Sequence, residues 1–190
     1  MKKVHQDSTQ NRLEQLYKQS LRAELKKTLM LNNIMEVPKL SKIVLNVGAK
    51  EAVNDSKIIQ VCETILGAIS TQKPVRTKAR KSIAGFKIRE GMDLGVMVTL
   101  RGKHMYAFLD KLINLALPKV RDFQGVSTKL DGRGGYNLGI KDWAIFPEAE
   151  AAGAGERTHG LNITIQTSAK SDAHAFELLK SFGMPFKKGK

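Results

Sequence analysis

The residues best equipped for chemistry lie between Lys73 and Arg89, KPVRTKARKSIAGFKIR, where Lys73, Arg76, Lys78, Arg80, Lys81, Lys87 and Arg89 occur without one acidic side chain. Clustered cations repel one another and add nothing to a core. Their natural counterpart is a polyanion that neutralises them and releases its own counterions. The plain alternative is a solvated basic face. The whole chain leans toward the polyanion, because 32 Lys+Arg against 18 Asp+Glu leave a formal net charge of +14, the balance of a protein that meets nucleic acid or an anionic surface. No apolar run approaches the roughly 18 to 20 residues that span a bilayer. The opening MKKVHQDSTQ carries no apolar signal core, so no membrane partner is expected and the cytoplasm is the expected compartment.

Other chemistry is poorly provided for. Cys62 is the sole cysteine, which excludes an internal disulfide and a thiolate zinc site and reads as a packed thiol. His5, His104, His159 and His174 show no metal-ligand spacing, and no acidic cluster suggests paired metal ions. His104 opens an amphipathic helix and reads as a surface or boundary side chain. The glycine-rich DGRGGYNLG from Asp131 to Gly139 lacks the Lys-Ser/Thr pair of a phosphate-binding loop and misses the dinucleotide spacing. It is left as flexible turn geometry or a loop shaped to lie against RNA. No enzyme activity, metal or cofactor is expected.

These residues must be positioned by ordinary elements. A chain of 190 residues, 42% hydrophobic, can bury one core without staples. Residues 1–10 lack periodicity and read as a loose tail. Leu13, Leu16, Tyr17, Leu21, Leu25 and Leu29 recur at helical spacing across residues 11–32. Leu40 to Val47 reads as a strand with Asn46 on one face. Asn54 and Asp55 stand ready to cap a helix from Ser56 to Ile69. After Pro74 the pattern predicts a strand, the basic loop, a further strand, and then another through Gly95 to Leu100. A helix from about Lys103 to Leu117 follows, limited by Pro118. Residues 119–147 are turn-rich, and Gly160 to Thr167 alternates as a half-buried strand. Asp172 is placed to cap a last helix ending near Phe182, before a basic tail at 188–190. The sum is a single α+β domain with an antiparallel sheet, helices packed on one face and the other face free, divided into halves at 33–90 and 91–187.

At this point the chain resembles the bacterial large-ribosomal-subunit protein five family, which binds 5S ribosomal RNA. VPKLSKIVLNVG from Val37, QKPVRTKARKSIAGFKIREG from Gln72, VTLRG from Val98, LPKVRDFQGVS from Leu117, DGRGGYNLGIK from Asp131, IFPE from Ile145 and TSAKSD from Thr167 occur in that family's order. The resemblance implies that the free sheet face holds RNA, that the basic segment is a protruding hairpin loop, and that Asn46, Gln72, Lys73, Thr99 and Arg101 face 5S rRNA. It implies that Thr77, Lys78, Arg80, Lys81, Ser82, Lys87 and Arg89 form a loop touching the P-site tRNA, with Ile83 and Phe86 anchoring it. The partners implied are 5S rRNA, 23S-type large-subunit rRNA, P-site tRNA, neighbouring ribosomal proteins and the small-subunit head protein thirteen, in the ribosome's large subunit. The chain departs from the family pattern at Glu148 to His159, EAEAAGAGERTH, at Trp143, and at Leu130 in VSTKLDG. A general nucleic-acid-compacting protein is the alternative that shares the charge but not the ordered motifs.

Overall fold

The computed structural model describes residues 11–53, 55–153 and 158–187. The expected tails at 1–10 and 188–190, and the proposed capping residue Asn54, lie outside that range. The apolar stripe at the N-terminus forms a helical rod: α1 (Arg12–Leu16) passes through a π-helical stretch (Tyr17–Leu21) into α2 (Arg22–Thr28). Leu13, Tyr17, Leu21 and Leu25 are its buried face. Then come strand β1 (Leu40–Gly48), helix α3 (Lys57–Ser70), strand β2 (Val75–Lys78) and strand β3 (Asp93–Leu100). Helix α4 (Gly102–Lys111) continues through a π-helical stretch (Leu112–Ala116) to a 3-10 turn containing Pro118 (Leu117–Lys119). The remainder comprises strand β4 (Gly135–Ile140), short helix α5 (Pro147–Ala151), strand β5 (Leu161–Thr167) and helix α6 (Asp172–Ser181).

The strands form one five-stranded sheet in the order β2-β3-β1-β5-β4, with every neighbouring pair antiparallel. Because successive strand side chains point to opposite faces, Ile43, Leu45 and Val47 of β1, Val96, Val98 and Leu100 of β3, and Leu161, Ile163 and Ile165 of β5 all enter one core with the helices. The expected α+β class and antiparallel sheet are thus observed. Cys62 is fully buried on the apolar side of α3, and that burial pushes its thiol pKa up to about 11.

Four local expectations need correction. Only one strand follows the basic segment; in place of the further strand, Ile83 and Ile88 make a single bridge, too short to extend the sheet. Part of the glycine-rich turn region is strand β4, which the alternation of Tyr136, Leu138 and Ile140 places on the sheet edge. Ser171, not Asp172, occupies the N-cap of α6; the Asp172 carboxylate instead accepts backbone N–H groups from Gly132 and Gly134 at 3.0 and 2.9 Å. Of the two residues expected to anchor the loop, Ile83 does so through its backbone bridge to Ile88, whereas the Phe86 side chain is not packed down but 70% exposed. Asp55 does serve the start of α3, accepting the N–H of Lys57 at 2.9 Å. Trp143 is fully buried and meets His159 edge-on at 5.1 Å between ring centroids.

With the Cys62 thiol neutral at physiological pH and out of solvent, its reaction with a thiol reagent at pH 8 is expected to require unfolding. Alkylation followed against denaturant should track the unfolding transition. Labelling of the native protein at the rate of a free thiol would contradict this packing.

Candidate nucleic-acid interface

Among the described residues, no helix covers the second face of the sheet, whose side chains are exposed or half-buried. Register brings its outward residues into rows: Val75, Met97, Asn46 and Asn162 lie across four strands, and Thr99, Val44, Thr164 and Asn137 form the next row. Lys42 and Gln166 pair alongside. Acidic residues are absent from these positions. Amides and hydroxyls dominate, with Val75 61% and Met97 37% exposed. Such groups both donate and accept, and the apolar patches between them suit the flat faces of bases. Within the surface, Thr164 Oγ1 donates to Asn137 Oδ1 at 2.7 Å, which leaves the Asn137 amide group to offer its N–H.

Asn46 and Thr99 lie on this face, on the adjacent strands β1 and β3. Gln72 joins them, because its Nε2 donates to the Thr99 carbonyl at 3.3 Å, and exposed Lys73 follows it in the chain. Arg101, also exposed, leaves β3 at the N-cap of α4. Asn46, Thr99 and Gln72 therefore lie together on the open face, with Lys73 and Arg101 next to Gln72 and to the end of β3 in the chain. Sequence reasoning missed Lys42, Asn137, Asn162, Thr164 and Gln166. The alternation of LNITIQT contained the signal for three of them, since Leu161, Ile163 and Ile165 are buried and the intervening residues point out.

The basic segment is more differentiated than its charge implies. Arg76 is not free: its guanidinium bonds Glu63 on α3 at 2.8 and 2.9 Å and lies 3.6 Å from Asp93. It ties β2 to the helix layer. Lys73, Lys78, Arg80, Lys81, Lys87 and Arg89 are exposed, and among the described residues none of them enters a salt bridge. Thr77 sits opposite Gly95 on the open face. A Cβ on Gly95 would come within 2.6 Å of the Val47 carbonyl oxygen and 2.9 Å of Thr77 Oγ1, so glycine is what lets three strands close up there. The segment is ordered by its own backbone: Ile83 and Ile88 exchange N–H···O bonds at 2.9 and 3.1 Å, and Ala79 donates to Met92 at 2.8 Å. Ser82 contributes inward, its Oγ accepting the Glu90 N–H at 2.9 Å. The cations are thus presented from a braced loop.

The glycine-rich segment is not a vacant anion cradle. Asp131 Oδ1 accepts the N–H groups of Arg133 and Gly135, both at 2.8 Å, and Asp172 takes those of Gly132 and Gly134. Two carboxylates therefore already occupy the donors that a phosphate would use. Gly134 is required by φ +77° and by Ala169 O, which a Cβ would approach to 2.9 Å. The two backbone N–H bonds hold the Asp131 carboxyl below its ordinary pKa, Arg133 N–H contributing most. Among the described residues no group of three or more His, Cys, Asp and Glu is placed to hold a metal.

An uncovered polar sheet face beside a braced cationic loop defines a macromolecule-binding α+β protein. Residues 33–89 match the family described as ribosomal protein L5, and residues 93–186 match the model for the C-terminus of the same ribosomal family. Large ribosomal subunit protein uL5 of Acidobacterium capsulatum is 53% identical over 177 residues, covering 93% of this chain and 97% of that protein. The protein of the same name from Leptospira biflexa is 51% identical, covering 93% and 96%, and that from Ralstonia nicotianae 53%, covering 93% and 98%. The chain belongs to the bacterial uL5 family. It is accordingly a structural, non-enzymatic constituent of the large ribosomal subunit in the bacterial cytoplasm.

Because the folded-state pKa of Asp131 is depressed, its contribution to loop order is present above the ordinary carboxylate pKa and is lost as pH falls through the lower folded value. Protection of the Arg133 and Gly135 amides, taken relative to their intrinsic exchange rates, should persist through the ordinary carboxylate range and be lost only at more acidic pH, while Asp172→Ala should speed exchange at Gly132 and Gly134 at neutral pH. Unchanged protection at those two glycines would contradict the bracing.

Proposed function

We propose that the open sheet face docks 5S rRNA onto the large subunit and that the basic loop contacts P-site tRNA. The observation that carries the first part is the uncovered, acid-free face on which Asn46 and Thr99 lie together with Gln72, flanked by Lys73 and Arg101. Amides, a hydroxyl and a guanidinium match splayed bases, ribose 2′-hydroxyls and phosphates. Family membership supports the same reading. The second part is supported by Lys78, Arg80, Lys81, Lys87 and Arg89, which are exposed and enter no salt bridge among the described residues, on a connection distinct from those face residues. Phosphate contacts position a ligand without reading its sequence, which suits a surface that every tRNA must pass. Contacts with 23S-type rRNA and neighbouring ribosomal proteins follow from the same placement. Residues near Glu148 to His159 are the proposed approach to the small-subunit head protein thirteen.

Binding to 5S rRNA and to an unrelated RNA of equal length, measured across a salt series, tests this. A 5S preference should survive about 0.2 M salt, and Arg101→Ala should weaken it by about 1–3 kcal/mol. Equal affinity for both RNAs with equally steep salt slopes would identify a compacting protein instead. Arg80→Ala combined with Lys81→Ala should leave 5S affinity within about twofold, within the range of a distant surface change, and reduce tRNA crosslinking in assembled ribosomes. A large loss of 5S binding in that variant would overturn the division of labour.

A further inference from the structure

Phosphate contact leaves one feature of the basic loop unaccounted for. Phe86 stands 70% exposed and Ile83 47% exposed at its tip, although the loop closes through backbone bonds and does not need them for a core. Beside Phe86 runs a groove of about 580 Å³, lined by Gly85, Phe86, Lys87 and Ile88 from the loop and by Ala49, Lys50, Val53 and Leu94 from the sheet end. Its floor is apolar. Among the described residues that line it, the two charged ones are both lysines and none is a carboxylate. Gly85 leaves the approach open, since a Cβ there would meet nothing within 4 Å.

We propose that this groove receives a single unstacked RNA base, with the Phe86 ring as stacking partner and Lys50 and Lys87 on the adjoining phosphates. An exposed aromatic ring next to cations serves any base, because every base has a π-face, and it requires a strand whose bases are free of a duplex. The 580 Å³ volume falls within the range of small-molecule sites. The groove thus adds a structural preference, unpaired over paired RNA, to a loop whose lysines and arginines alone would accept either. The proposal deepens the assignment of this loop to tRNA and rests on that loop meeting RNA.

The test uses the full chain with two probes of equal length: a single-stranded RNA carrying one 2-aminopurine, and a blunt RNA duplex. Wild-type protein should quench the 2-aminopurine and prefer the single strand. Phe86→Leu keeps the apolar bulk but removes the ring; it should reduce quenching and weaken single-strand binding on the order of tenfold, the scale of one base stack, while duplex affinity and its salt slope stay put. Phe86→Trp should retain both quenching and preference. Quenching and single-strand affinity that are unchanged in Phe86→Leu would overturn the stacking site. A loss of single-strand and duplex binding together in Phe86→Leu would also overturn it, since the ring would then be supporting the loop. Arg80→Ala with Lys81→Ala separates the underlying reading: if neither probe weakens in that variant, the loop does not meet RNA at all, whatever happens at Phe86.

Discussion

The structure depends on an asymmetry of burial. Five antiparallel strands, alternating in and out, send one set of aliphatic side chains against α3, α4, α6 and the N-terminal rod and, among the described residues, leave the other set without cover. Apolar burial at roughly 25 cal/mol per Å² drives the first arrangement. The second persists only because Asn46, Thr99, Asn162, Thr164 and Gln166 tolerate water. A sheet with both faces apolar would have demanded a second helix layer and left no surface for a partner.

That asymmetry also explains why the cations are divided. Arg76 points to the helix side of β2 and is taken up by Glu63 and Asp93, so it serves the fold. Its neighbours beyond Lys78 leave the sheet and stay in solvent on a loop braced by Ile83, Ile88, Ala79 and Met92. The glycine-rich segment shows the converse economy of charge: Asp131 and Asp172 saturate its backbone donors and fix the turn that delivers β4 to the sheet edge. Glu63, Asp131 and Asp172 are thereby engaged within the fold, while the loop cations face solvent.

Much of this was legible in the chain. β1 and β5 announced themselves because half-buried strands must alternate, and α3 because its apolar residues recur at helical spacing. The ordered motifs carried the family. β4 was hidden because its glycines dilute the alternation to three apolar positions, and because edge pairing depends on a partner distant in sequence. Asp172 looked like a cap because its identity and position fit one; that it reaches instead across to residues 132 and 134 is a tertiary fact no local pattern contains. Phe86 was expected to anchor the loop from family likeness, and its exposure became visible only with the loop's own closure in view. The roles expected of Asn46, Gln72, Lys73, Thr99 and Arg101 came from family likeness, whereas register puts Asn46 and Thr99 on one face and a hydrogen bond brings Gln72 beside Thr99.

If the sheet face left open by the described helices is the RNA surface, RNA must lie within reach of Val44 and not of the helix layer. That is tested most directly by placing the photocrosslinker p-benzoylphenylalanine at Val44, in the middle of that face, and separately at Ala107, exposed on α4 in the helix layer, then irradiating each protein with 5S rRNA. Crosslinking from position 44 and none from position 107 is the predicted result. Crosslinking from position 107 with none from position 44 would place the RNA on the helices and contradict the account.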